Sequence, residues 1–250
     1  MKTEERREKI YHTLKTNKEI QVSVLAKRFG VSAMTIRRDL TFMEETGLID
    51  RSYGKARIVD ASRREFSFGQ RSQTNRELKE KIARTMLGYM GDISSFYVDG
   101  STTAIEILRI LPSGRPYTVF TDSFEALKLL SGMSWIRTYV MGGFLNMESS
   151  SFDDDMTDTV KRIYVDATII SCSGFSRNGV FNDGITGIQA KRIMLGHSAK
   201  NFILADHTKA DSQGLFLLSS WEQLHYLVTD CRPDKKMMED LTKNGVQVVW

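Results

Sequence analysis

Two adjacent arginines are the first residues in this sequence with an evident chemical use. They lie in the run Val31-Ser32-Ala33-Met34-Thr35-Ile36-Arg37-Arg38-Asp39-Leu40. A guanidinium carries a rigid fork of N–H donors that matches guanine edges and phosphate oxygens, so arginines on one helix face suit a nucleic acid. At about 100° per residue from Ile36, Leu40 falls near 40° and Met43 near 340°, which makes these three a buried stripe. Arg38 falls at about 200°, Met34 at about 160° and Thr41 at about 140°, pointing away from the stripe, with Thr35 and Arg37 flanking them. Ser32 is placed to cap this helix, and a phosphate contact from it is secondary to that role. A plainer reading pairs Arg37 and Arg38 with Glu44 or Glu45. Asp39 falls near the buried edge and reads as a structural partner for an arginine.

A second chemistry is written in short polar clusters that follow apolar runs. Asp99-Gly100-Ser101-Thr102-Thr103 opens a helical stretch, where free N–H groups, hydroxyls and the positive dipole end suit a phosphate. Taken alone, Thr102 or Thr103 could simply cap that helix. Similar clusters recur at Thr121-Asp122-Ser123, Gly142-Gly143, Ser171-Cys172-Ser173-Gly174 and Asp206-His207-Thr208-Lys209. Lys191 adds a further cation. Capping does not explain convergence from five segments. A sugar phosphate would use all of it, with cations and N–H groups for the phosphate and carboxylates and hydroxyls for the polyol.

Other chemistries find little support. His12, His197, His207 and His225 are scattered, and none pairs at ligand spacing with Cys, Asp or another His, so no metal is expected. Cys172 reads as a small buried hydrophobe. No nucleotide-binding P-loop pattern occurs, and no cofactor or catalytic residue is expected.

The elements that must position these groups fall into two parts. Ile10, Tyr11 and Leu14 share a face of a first helix starting near Thr3 or Glu4. Val22, Leu25, Ala26 and Phe29 line a second, stopped by Gly30, and Gly47 is placed to end the third. Two short helices, a Gly-containing turn and a third helix with Arg and Thr outward make a helix-turn-helix. Residues 48–59 follow as a hairpin turning at Gly54, whose Arg51, Tyr53, Lys55 and Arg57 form a basic wing suited to phosphate or minor-groove contact. Residues 1–59 are thus expected to be a winged helix-turn-helix, and 60–75, polar and poorly periodic, a linker to which Phe66 and Phe68 give apolar anchors. Residues 76–250 are expected to form an α/β domain with a largely parallel sheet. Its strands centre on 95–98, 117–120, 138–141, 167–170, 202–205 and 227–228, and its helices on 78–90, 103–111, 123–131, 188–199 and 234–244. Ligands bind at the carboxyl ends of such strands.

Charge divides in the same place. The 250 residues carry 35 Lys+Arg and 31 Asp+Glu, a net of +4. Residues 1–64 hold 15 and 9 of these, a net of +6, which leaves −2 on the remainder. An accidentally basic surface would give the same +6, so the number gains meaning only beside the helix-turn-helix. No run approaches the roughly 18 apolar residues of a membrane span. Met1–Arg7 lacks the apolar segment of a signal peptide, and two cysteines are too few for a disulfide framework, so a cytoplasmic protein is expected.

With AKRFG before it and EETGLIDR after it, VSAMTIRRDL resembles the DeoR family of bacterial transcription regulators, to which the TIRRDL core is specific. That family usually ends the module with His-Gly-Gly-Ala, and this chain has Tyr53-Gly54-Lys55-Ala56, which keeps the turn and adds a charge. The resemblance runs from about residue 3 to 230, and so takes in the family's sensor domain, similar in fold to ribose-5-phosphate isomerases and glucosamine-6-phosphate deaminases. It implies a phosphate loop at Gly100-Ser101-Thr102-Thr103, a second small-residue strand end at Thr121-Asp122-Ser123, an Asp-x-x-Lys element at Asp206 and Lys209, and the Lys-Arg pair Lys191-Arg192. Family sensors often carry Phe-x-Gly after the Gly-Gly segment. Here Phe152 precedes Asp153-Asp154-Asp155, an acidic run that would repel phosphate and reads as a solvated loop.

The isomerase relatives have Asp-Gly-Ala-Asp where this chain has Ser171-Cys172-Ser173-Gly174, and a Glu general base where this chain has Lys191. An ammonium cannot accept a proton near neutral pH. The resemblance therefore implies a ligand-responsive repressor of carbohydrate genes. Its partners would be double-stranded operator DNA, a phosphorylated sugar and further copies of itself, with no membrane and no turnover. The competing readings are a sugar-phosphate isomerase or deaminase with a DNA-binding appendage, and an architectural DNA-binding protein without a ligand.

Overall fold

A computed structural model describes residues 6, 7, 9, 10, 13, 14, 17, 19–45, 49–52, 54–58, 67–147, 149–153, 160–184 and 187–250. The chain divides into two compact units, Met1–Thr74 and Asn75–Trp250.

In the first unit, β1 (Glu19–Gln21), α1 (Val22–Phe29), α2 (Ala33–Glu45), β2 (Ile49–Ser52) and β3 (Lys55–Ile58) surround one small core. Gly30 stops α1 by adopting φ 63°, a left-handed conformation that glycine enters without steric cost. Ser32 Oγ then accepts the Thr35 N–H at 3.1 Å and starts α2. Ile36, Leu40 and Met43 are buried as their angular spacing requires, against Ile10, Leu14, Val22, Leu25, Ile49 and Ala56. Gly54, at φ 77°, turns the chain from β2 to β3. The wing has a third strand, because β1 pairs antiparallel with β3 and the Val22 N–H donates to the Gly54 carbonyl at 3.0 Å. Nothing in the sequence announces β1, whose single apolar residue, Ile20, stands between Glu19 and Gln21. The expected start of the first helix, Tyr11, Gly47 and Tyr53 lie outside the described residues, as does Phe66. The segment read as a linker contains a short helix, α3 (Phe68–Gln73), set by local capping and not by periodicity. Ser67 and Gln70 form a reciprocal capping box there.

The second unit opens with α4 (Arg76–Leu87), β4 (Ser95–Val98), α5 (Thr102–Arg109), β5 (Tyr117–Thr121), α6 (Phe124–Leu130) and β6 (Ile136–Val140). The short strands β7 (Phe144–Asn146) and β8 (Ser151–Asp153) pair as a hairpin, and β9 (Val165–Ile170) returns to the sheet. After β10 (Gly174–Ser176) and β11 (Gly179–Asn182) come α7 (Ile188–Gly196), β12 (Ser198–Leu204), β13 (Phe216–Ser219), β14 (Tyr226–Val228), α8 (Lys235–Lys243) and β15 (Gln247–Val249). Seven strands form one sheet in the order β15-β14-β12-β9-β4-β5-β6, and every neighbouring pair in it is parallel.

Parallel strands need both faces covered, and the strands are accordingly apolar runs. Phe96, Tyr97 and Val98 of β4 and Ile169 and Ile170 of β9 are all fully buried. Helices α4, α5 and α6 pack side by side. Buried residues of α7 and α8, among them Met194, Leu195, Met237 and Leu241, share a core with Tyr97, Ile170, Ile203 and Leu227 of the sheet. From β4 the chain progresses first through β5 to β6, then returns through β9 to β15 on the other side. The order of connection therefore reverses between β4 and β9, and the helices leaving those strands diverge to leave a crevice at their carboxyl ends. The polar clusters of the sequence stand along that edge.

Candidate functional site

On the first unit, α2 turns its arginines outward. Met34, Arg37 and Arg38 are exposed, and Thr35 and Thr41 half-buried. Ser32 serves as the cap, with its hydroxyl 3.0 Å from that of Thr35, and Thr41 Oγ1 donates to the Arg37 carbonyl at 2.9 Å. Asp39 is only 2% exposed and takes no part in that face. Its carboxylate accepts Arg6 Nε at 2.6 Å and Arg7 Nε at 3.1 Å, which fixes α2 to the chain's first described residues. The Arg6 guanidinium gains more from Asp39 than burial removes, which raises its pKa. The Arg7 guanidinium lies 3.8 Å above the Phe42 ring centre. In the wing, Lys55 Nζ stands 3.4 Å from Glu19 of β1, a pairing made possible by the unexpected third strand. Arg51 lies in β2 opposite Ala56, and Arg57 lies in the central strand β3, opposite Asp50 of β2 on one side and Glu19 of β1 on the other in the backbone register.

On the second unit, two charged pairs organise the strand ends. Asp99, just after β4, is fully buried. Its Oδ1 accepts Ser101 Oγ at 2.5 Å and the Ser101 N–H at 3.3 Å, while Oδ2 faces Lys191 Nζ at 2.7 Å. Lys191 reaches there from the first turn of α7. With its amide turned so that oxygen faces the ammonium, Asn182 accepts from the same lysine at 3.2 Å. After β12, the Lys209 ammonium donates to Ser171 Oγ at 3.1 Å and the Cys172 carbonyl at 2.8 Å, joining the ends of β9 and β12. Asp206 is buried and caps a single turn at His207–Lys209 by accepting the Thr208 N–H at 3.1 Å.

Between these pairs lie groups whose needs the protein does not meet. Asp122 is 4% exposed, and its Oδ1 has no hydrogen-bond partner. Burial pushes its carboxyl up to about 7, Asp99 adding to the effect and Lys191 opposing it. The Tyr97 hydroxyl is fully buried beside Asp122 but too poorly aligned to make a full hydrogen bond, and burial, then the Asp122 and Asp99 charges and the residual bond to Asp122, hold its pKa well above the usual value. Thr103 Oγ1, in the first turn of α5, is likewise buried and unpartnered. An unmet buried polar group costs about 1–3 kcal/mol, so three together mark a place suited to a polar guest. Two close approaches shape it. A Cβ on Gly187, which sits at φ 69°, would fall 2.8 Å from Asp122 Oδ2, and one on Gly100 would collide with Ser151 Oγ.

The structure thus brings together Asp99, Gly100, Ser101, Thr103, Asp122, Ser171, Lys191, Asp206 and Lys209. Others of the expected set have tasks within the fold. Ser101 Oγ caps α5 by accepting the Ala104 N–H, and Ser123 Oγ caps α6 by accepting that of Ala126. Thr121 Oγ1 accepts the Ser123 N–H at 3.1 Å. Thr102 is buried in the first turn of α5. Gly142 and Gly143 follow β6, the outer strand of the sheet, on half-exposed and exposed backbone, and take no part in the contacts just given. Asp154 and Asp155 lie outside the described residues.

Two residues had no signal in the sequence. Ser151 comes over Gly100 because β8 is tied to the β5 end, where Phe152 N–H donates to the Asp122 carbonyl at 2.7 Å. Asn75, the first residue of the second unit, adopts φ 52° and donates its amide to Thr208 Oγ1 at 3.1 Å and Asp206 Oδ1 at 3.4 Å. Asparagine tolerates this left-handed conformation, yet nothing local reveals a partner more than a hundred residues away.

The family described as DeoR-like helix-turn-helix domain matches residues 6–62, and the DeoR C terminal sensor domain matches residues 74–231. An uncharacterized HTH-type transcriptional regulator YulB of Bacillus subtilis is 30% identical, over 98% of this chain and 95% of that protein. The HTH-type transcriptional repressor GlcR of the same organism is 28% identical, over 100% and 96%. The glycerol-3-phosphate regulon repressor of Escherichia coli is 25% identical, over 99% of each. No helix among the described residues is long and apolar enough to cross a membrane.

Proposed function

The chain belongs to the DeoR family of transcriptional regulators, and from that premise we propose that it represses carbohydrate-related genes under control of a phosphorylated sugar or similar polyol phosphate. The winged unit, residues 1–59, grips double-stranded operator DNA. There α2 enters the major groove with Arg37, Arg38, Met34, Thr35 and Thr41, while Ser32 and the wing residues Arg51, Tyr53, Lys55 and Arg57 meet phosphates. Residues 60–75 connect it to the sensor, 76–250. A single helix-turn-helix buries little DNA surface, so the working form is a homo-oligomer on repeated half-sites, in the cytoplasm.

The observation that carries the ligand reading is the paired and unpaired charge at the β4–β9 crevice. Lys209 and the α5 N-terminus at Gly100–Thr103 meet phosphate oxygens. Asp99, Asp122 and Asp206 accept from sugar hydroxyls, and the Thr103 and Tyr97 hydroxyls find their missing partners. Lys191 stands against Asp99 as a fixed counter-charge with no role as a base, which favours binding without turnover over the isomerase reading. A ligand with a hundredfold preference for the weak-binding conformation shifts DNA affinity by about 2.7 kcal/mol.

The test uses the two sites separately. Arg38→Ala weakens operator binding more than about tenfold and leaves the ligand response in a thermal-shift screen of sugar phosphates unchanged. Lys209→Ala does the reverse and abolishes the preference for phosphorylated over plain sugars. Turnover of any aldose phosphate or amino-sugar phosphate by the purified protein would sink the regulator-only reading.

A further inference from the structure

The end of the sheet beside Asp206 carries donors the sugar-phosphate reading does not use. Strands β12 and β14 run parallel with Leu204 opposite Val228, so the residues leaving them emerge side by side. Asp206-His207 leaves one strand and Asp230-Cys231 the other. Asp230 is buried and held from two directions, its Oδ1 accepting the His207 N–H at 2.7 Å and its carbonyl accepting Lys81 Nζ at 2.5 Å. Its Oδ2 meets His207 Nδ1 at 2.6 Å. The Cys231 thiol is free and exposed, and ligand atoms of His207, Asp230 and Cys231 all lie within 4.8 Å of one another.

We propose that these three side chains bind a divalent transition-metal ion of the zinc type, with water in the remaining position. Imidazole nitrogen, carboxylate oxygen and thiolate sulfur form a borderline-soft set, whereas magnesium and calcium take oxygen ligands. Tetrahedral zinc, with bonds of about 2.0–2.3 Å, holds its ligand atoms roughly 3.3–3.7 Å apart. The His207–Asp230 contact of 2.6 Å is a hydrogen bond, shorter than that spacing; the ion takes the place of its proton, which leaves Nδ1 to solvent. The thiol loses its proton to solvent, and the neutral imidazole carries its own on Nε2. Only the two exposed side chains need to move. Sequence spacing cannot display the site, because its residues come from two strand ends 23 positions apart. A bound ion clamps the turn that carries Asp206 and Lys209. That consequence rests on the ligand reading, whereas the metal site itself does not.

Reduced, untagged full-length protein titrated with Co2+ tests the site without sugar or DNA. One Co2+ per chain, a thiolate-to-cobalt absorption band and displacement by Zn2+ are expected. Cys231→Ser should remove the band, and His207→Gln should weaken Co2+ binding about tenfold or more with melting temperature retained. Absence of the band, its persistence in Cys231→Ser, or Zn2+ binding weaker than about 10 µM would overturn the proposal. Each of these outcomes leaves the sugar-phosphate assay untouched.

Discussion

Asp122 is a carboxyl that resists ionising inside a site built around charges. Its folded pKa of about 7 exceeds the ordinary carboxylate value of 3.8, so the folded state holds a proton that the unfolded chain releases. Stability contributed by this group is therefore full below about pH 4, declines as pH rises towards 7, and stays lost above it. Asp122→Asn removes that slope. Urea unfolding across the range should show the variant gaining on the parent by a few kcal/mol at most between about pH 4 and 7, with no further change above that. A constant difference between the two would mean that Asp122 stays ionised. Lys191 poses the opposite problem, since Asp99 is fully buried and this ammonium is its counter-ion at 2.7 Å. Lys191→Met leaves the carboxylate without it, at a cost of about 3–5 kcal/mol. Adding Asp99→Asn to that variant should restore much of the loss, and a strictly additive double variant would refute the pairing.

At the scale of elements, Ser32 separates a capping role from a recognition role. Its hydroxyl accepts the Thr35 N–H, so Ser32→Ala should lower stability by about 0.5–2 kcal/mol. Ser32→Asp keeps the cap but sets a negative charge where phosphate would approach, so it should retain stability and lose operator affinity. Affinity retained by Ser32→Asp would assign Ser32 to the fold alone. Legibility in the sequence follows the same division between local and distant causes. The stripe Ile36–Leu40–Met43 and the runs at β4 and β9 were readable because burial repeats along one element. The β1 strand, the β7–β8 and β10–β11 hairpins and the terminal β15 were not. Three-residue or four-residue strands with one or two apolar positions owe their existence to a partner elsewhere in the chain. The carboxyl-edge clusters could be listed from sequence, but not sorted. Only packing shows that Ser123 caps α6, that Lys191 is held by Asp99, and that Ser151 closes over Gly100.

Across the whole molecule, the net charge of +4 averages a DNA-reading part of +6 and a remainder of −2, so salt should act on the two ligands unequally. Operator affinity should fall with a log–log slope of about −0.9 per phosphate neutralised, and Arg38→Ala should make that slope shallower by about one unit. Regulation further requires that the two sites share a free energy, and the residue best placed to carry it is Asn75. It is the first residue of the second unit, and its amide is bonded to Asp206 and Thr208 at the carboxyl edge of the sheet. Under the proposed ligand reading, a phosphorylated sugar that recruits Asp206 would compete for that amide. Asn75→Gly keeps the left-handed backbone at φ 52° and removes only the side-chain bonds. Two hydrogen bonds of ordinary worth, about 1 kcal/mol each, bound the effect. The ratio of operator affinities without and with saturating ligand should shrink by about tenfold, while ligand binding to the free protein changes only a few-fold. Because linkage is reciprocal, operator DNA should lose the same factor in its effect on ligand affinity. An unchanged ratio in either direction would place the coupling elsewhere in the sensor.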